Sequence, residues 1–181
     1  MGIEDLINKD STFSESAFIS KVDNIYIMLL SAIMMNDMEK VKHKLSSELY
    51  NKYFDLVDNL NKNNQRQMYD ELNVKSTKIL SINETDDKYI IEVLLISRYM
   101  DYIIDKTTLK YISGINNKRV EKENYLTFEK LKNTKKELSV RKCPGCGVSI
   151  DVSSTGKCVY CGSTYDTINY DWILTDIKEK D

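Results

Sequence analysis

Proline, glycine, histidine and tryptophan are scarce in this chain. Its 181 residues include one proline, six glycines, one histidine and one tryptophan. No Gly-rich phosphate loop and no nucleophile–base pair can be read from it, so catalysis has no visible carrier. An excess of one charge sign is also missing. The formal net charge is −2, which argues against sequence-independent attraction to nucleic acid or to anionic lipid. Long apolar runs are missing too. The longest, residues 25–35, is interrupted by Ser31. A membrane span needs roughly 20 apolar residues, so this run predicts a buried helix segment. The first ten residues hold Glu4 and Asp5 and no apolar run, so no secretory signal is expected. Leu6 stands where a myristoylation signal needs Ser or Thr. The expected compartment is the cytoplasm, with peripheral membrane contact open.

Four cysteines are present, all near the C-terminal end: Cys143, Cys146, Cys158 and Cys161. In a reducing compartment, two CxxC pairs point to a metal rather than to disulfides. Two such pairs suit a tetrahedral ion with four thiolates, and the expectation is one structural Zn²⁺. Iron in a rubredoxin-like site and a thiol redox pair are the alternatives. Gly147 and Gly162 follow the second cysteine of each pair, where a left-handed backbone is expected. Pro144, the one proline, stiffens the first knuckle. Four thiolates fill the coordination shell, which points to a folding staple and away from a catalytic zinc. Lys132, Lys135, Lys136, Arg141, Lys142 and Lys157 outnumber Glu137 and Asp151 around the knuckles. Part of that charge offsets the thiolates, so nucleic-acid binding through the ribbon is the weaker reading.

Upstream, residues 1–11 read as a polar lead-in. Thr12 and Glu15 fit a capping box. Phe18, Val22, Ile25, Leu29 and Ala32 then recur at helical spacing. A short helix from Asn36 and a third from Ser46–Ser47 follow. The polar run 61–70 reads as a solvated loop or a fraying end. From residue 72 the period changes to that of strands. Residues 79–82 and 89–104 form a hairpin around the turn 83–87. Ser113-Gly114 and Asn116-Asn117 mark a further turn. Residues 120–131 form a third strand, with Leu126 and Phe128 on one face and Tyr125 and Thr127 on the other. Residues 170–177, with Trp172, form a fourth strand expected to pair with 125–131. Helices first and strands after predict an α+β domain, its helices packed on an antiparallel sheet. The expected organisation is a lead-in at 1–11, an α+β domain over 12–138 and 167–178, and a zinc ribbon inserted at 139–166.

The first helix ending at Asn36-Asp37, the run Leu45-Ser46-Ser47-Glu48-Leu49-Tyr50 and the strand end Asp101-Tyr102-Ile103-Ile104-Asp105 carry a resemblance. So do Tyr125-Leu126-Thr127-Phe128, both knuckles, and Tyr170-Asp171-Trp172-Ile173-Leu174. Over about residues 13 to 177 the chain resembles bacterial zinc-ribbon proteins. Their domain is similar to the C-terminal domain of mitochondrial import inner membrane translocase subunit forty-four. The resemblance implies a fold like nuclear transport factor two, a cystatin-like cone of curved sheet around helices with a cavity inside. It also implies a noncatalytic docking or tethering role in protein transport at a membrane translocase. The partner would then be a protein, or an apolar ligand or lipid in the cavity. Tyr89, Tyr99, Tyr102 and Tyr125 are candidate lining residues. An enzyme using a buried carboxylate is the alternative, with Asp101 and Asp105 as candidates. His43, among lysines, reads as a surface residue.

Overall fold

The computed structural model describes residues 1–132, 141–142, 146–150, 158–163 and 171–180. Its helices precede its main strands, in the order expected. Helix α1 spans Ile3–Lys9, α2 spans Glu15–Met35 and α3 spans Ser47–Lys62. Strands β1 (Gln65–Glu84), β2 (Lys88–Asp105) and β3 (Tyr111–Leu131) follow. Short β4 (Arg141–Lys142) and β5 (Ser149–Ile150) pair with each other, and β6 (Ile173–Glu179) closes the order. The main sheet is antiparallel and ordered β1-β2-β3-β6.

Helix α2 begins at Ser14, whose side chain accepts from the Ala17 N–H. The cap is therefore Ser14 and not Thr12; Thr12 instead bonds the Asp10 carboxylate. Asn36 ends the helix in a left-handed conformation, its N–H donating to the Ala32 and Ile33 carbonyls. Phe18, Val22, Ile25, Leu29 and Ala32 are buried on one stripe. By length and composition α2 could cross a bilayer. Folded, its apolar stripe is taken up by the sheet. Ser46 caps α3 by accepting from the Leu49 N–H.

Three expectations are corrected. The lead-in carries α1, held by fully buried Leu6. Seven residues are too few for periodicity to reveal. The polar run 61–70 is not a loop: α3 reaches Lys62 and β1 starts at Gln65. The break is taken by Asn64, which has φ 55°. Ser113 to Asn117 lie inside β3, and the turn falls between β2 and β3, where Asp105 accepts from the Thr107 and Thr108 N–H groups. The glycine and asparagines serve a bulge instead. Tyr99 opposes Val120, while Asp101 opposes Ile115. Gly114 has φ +101°, and a Cβ there would sit 2.4 Å from the Asp101 carbonyl oxygen.

The pairing expected for the last strand is found. Phe128 opposes Leu174, and Leu126 opposes Ile177. Leu126 and Phe128 are buried, and Tyr125 is exposed on the other face. Phe18 and Trp172 meet edge-on at 5.1 Å between ring centroids, and Phe18 meets Phe128 at 5.6 Å. The Ser46 N–H donates to the Leu174 carbonyl, tying β6 to the start of α3.

Across the helix-facing side, matching register positions form rows. Leu174, Phe128, Ile91 and Ile82 make one, all buried. Ile177, Leu126, Val93 and Ile79 make the next. Then the chemistry changes. Glu179 and Asn124 share a row with Leu95 and Thr77. Lys122 and Ser97 share the following one with Val74, and beyond the bulge come Asp101 and Tyr69. The concave face thus runs from a dry core at the Trp172 end to a polar end at Asp101.

Candidate functional site

Among the described residues, two places are candidates for functional chemistry. The first is the cysteine group, which lies after β3. Cys146, Cys158 and Cys161 bring their sulfurs within 4.8 Å of one another. Cys146 Sγ and Cys158 Sγ are 3.8 Å apart. A disulfide would need about 2.0 Å. Tetrahedral zinc with Zn–S bonds near 2.3 Å places sulfurs about 3.8 Å apart. The donor set and its spacing fit a metal ion. Cys143 lies outside the described residues.

Local chain geometry explains the arrangement. The first knuckle lies between β4 and β5, where Arg141 opposes Ile150 and Lys142 opposes Ser149. Gly147 and Gly162 both have φ +72°, so the two knuckles leave their second cysteine the same way. In the second knuckle the Gly162 N–H donates to the Cys158 carbonyl at 2.9 Å. The Cys158 N–H donates to the Ser163 carbonyl, also at 2.9 Å. Ser163 Oγ sits 3.1 Å from Cys161 Sγ, within reach to donate to a thiolate. Cys158 is buried, while Val159 and Tyr160 at the tip are 80% and 74% exposed.

The second place is the polar end of the concave face, a pocket of about 410 Å³. Gln67, Asp101, Tyr102, Ile103, Lys122 and Glu179 are among its lining residues. Of the tyrosines expected to line a cavity, Tyr102 does so. Tyr89 and Tyr99 are buried in the core, and Tyr125 is exposed on the opposite face. Beneath the polar end lie Tyr26 and Tyr53, which the sequence places only on apolar helix faces, and Tyr69, which falls in the run expected to be a loop. Tyr26 Oη and Ser97 Oγ are 2.9 Å apart, and Asn124 Nδ2 donates to Tyr26 Oη at 3.2 Å. Tyr69 and Tyr99 meet edge-on at 5.2 Å. Burial raises the hydroxyl pKa of each of these tyrosines, that of Tyr53 to about 12. They stay neutral and fill the interior as hydrogen-bonding apolar bodies.

Of the two candidate acid/base carboxylates, Asp105 is held in the turn after β2 and Asp101 lines the pocket. Asp105 accepts from the Thr108 N–H at 2.7 Å, from Thr108 Oγ1 and from the Thr107 N–H. The Thr108 N–H leads the interactions that hold its carboxyl below the ordinary value, the reverse of a general acid. Asp101 accepts from Gln67 Nε2 at 2.8 Å and lies 3.8 Å from Lys122 Nζ. His43 is half-buried on a 3-10 turn, not a surface helix. Burial, followed by the Lys44 charge, lowers its pKa and favours the neutral ring.

The chain matches the family model of the Tim44-like domain over residues 1–139. No curated protein matches it. The matched region contains all three helices and β1 to β3, and it stops short of the cysteines. With most of its length covered by that model, and with helices followed by an open antiparallel sheet, the chain belongs to the Tim44-like domain family.

Proposed function

We propose that this protein is a noncatalytic scaffold that docks a partner at a membrane translocase and serves protein transport. The family match over residues 1–139 carries this reading. In it, the α+β domain comprises residues 12–138 and 167–178, and the insert at 139–166 is a zinc ribbon. Cys143, Cys146, Cys158 and Cys161 hold one structural Zn²⁺. Bound there, the ion supplies folding energy to a segment with little core of its own. The 3.8 Å sulfur separation supports that assignment. The protein works from the cytoplasmic side, at the membrane surface, and meets a protein or lipid there.

Liposome flotation and crosslinking with a solubilised membrane fraction test the role. The scaffold reading expects translocase subunits to be retained by the full chain above an unrelated control. Retention of neither lipid nor any translocase subunit would count against it.

A further inference from the structure

The polar pocket has a charge pattern that the family match does not specify. Asp101, Glu121, Lys122 and Glu179 are its charged lining residues. Glu121 is already engaged by Lys75 at 3.0 Å and lies 4.0 Å from Arg98. Asp101 and Glu179 therefore face one cation, Lys122, which lies 3.8 Å from the first and 2.5 Å from the second. Two further cations pair with other carboxylates: Lys180 with Glu123, and Arg119 with Glu71. The pocket keeps an excess negative charge. Ile103, Ile115 and Val120 form an apolar part of its wall, beside Gln67, Tyr102, Ser113 and Gly114. Pockets of a few hundred Å³ suit small ligands. A carboxylate pair beside an aliphatic wall matches a cation carried on a short hydrocarbon stem.

We infer that the pocket binds an alkylammonium or alkylguanidinium group, its stem against Ile103, Ile115 and Val120 and its charge between Asp101 and Glu179. The source is either a free small amine or a lysine or arginine side chain of a partner. Lys122 competes with the ligand for the same two carboxylates. The inference rests on the docking-module reading only for the choice of the concave face.

The test is an amide NMR titration of the full metal-loaded chain with hexylammonium, and with hexanoate as the opposite-charge control. Saturable shifts are expected at Ser113, Gly114, Ile115 and Lys122, with hexanoate about tenfold weaker or more. Asp101→Asn combined with Glu179→Gln should weaken hexylammonium about tenfold. Lys122→Met should strengthen it, a sign opposite to that of an anion site. If the double variant loses its fold, Lys122→Met carries the test alone. A blocked pentapeptide with one central arginine separates the sources. Tighter binding than hexylammonium assigns a partner side chain, and equal or weaker binding a free amine. Hexanoate binding as tightly as hexylammonium, no saturable shift, or weaker cation binding in Lys122→Met would overturn the inference. Metal content and translocase retention of the same preparation report the scaffold reading separately.

Discussion

If the cysteine group holds the proposed ion, single residues should decide how tightly. A tetrahedral thiolate site tolerates no missing donor without a change of shell. Cys161→Ser and Cys143→Ser should each weaken zinc by more than about a hundredfold, since even partners behind the ligands cost ten- to a hundredfold. A chelator competition assay reads this directly, and an unchanged affinity in Cys143→Ser would mean a three-cysteine site. Ser163→Ala removes the hydroxyl beside Cys161 and should cost about tenfold in the same assay. A second residue-scale case is Asp10. Its carboxylate pairs with Lys130 at 2.5 Å, with side chains 13% and 11% exposed. Burial raises the Asp10 pKa, but the hydrogen bonds from Lys130 and Thr12 outweigh it and hold the carboxyl below its ordinary value. The pair's stabilisation is therefore complete above the unfolded value and is lost as pH falls through the lower folded value. Asp10→Asn leaves Lys130 charged and buried and should cost about 3 kcal/mol at neutral pH. Urea melts at pH 7 and pH 3 test this, and a difference from wild type that does not shrink in acid would refute it.

Elements were legible where their burial is one-sided. The α2 stripe repeats at helical spacing because one side lies on the sheet. β3 alternates from Asn124 to Lys130 because its other face meets solvent. Elements failed to show where burial gives no pattern. In β1, residues 65–70 are all half-buried, so nothing alternates and the run reads as a loop. β3 opens with nine exposed residues, so Gly114 and the asparagines look like a turn. What they supply is a bulge and a close backbone approach. Gly114→Ala would put a Cβ 2.4 Å from the Asp101 carbonyl oxygen and 2.6 Å from Tyr102 Cα, at φ +101°. It should destabilise by more than about 1 kcal/mol, and it should perturb amides of Asp101 and Tyr102 before those of Leu126. A neutral effect on melting would remove the bulge from this account. The grouping of Cys146, Cys158 and Cys161 was legible from spacing alone, because ligand geometry constrains sequence more tightly than packing does.

At the scale of the molecule, the described contacts of the last strand lie on the sheet and helices. β6 is held by Phe128 and Leu126 across the sheet and by Trp172 against Phe13 and Phe18. Asp171, just before it, pairs with Lys21 of α2 and lies 3.5 Å from Lys44. None of these contacts uses a cysteine. Removing the metal should therefore expose the knuckle amides to hydrogen exchange while Trp172, the one tryptophan, keeps its buried emission. Loss of both together would mean that the ion also holds the sheet closed. The tyrosines beneath the polar end could not be assigned to a cavity from sequence, because a core tyrosine and a lining tyrosine have the same period. Their contacts place them: Tyr26 meets Ser97 and Asn124, and Tyr69 lies opposite Asp101. The most direct measurement is zinc K-edge X-ray absorption on the purified full chain, with metal stoichiometry taken on the same sample. One zinc per chain in a shell of four sulfurs at about 2.3 Å is the expected result. A chain without zinc, or a shell containing fewer than four sulfurs, would contradict it.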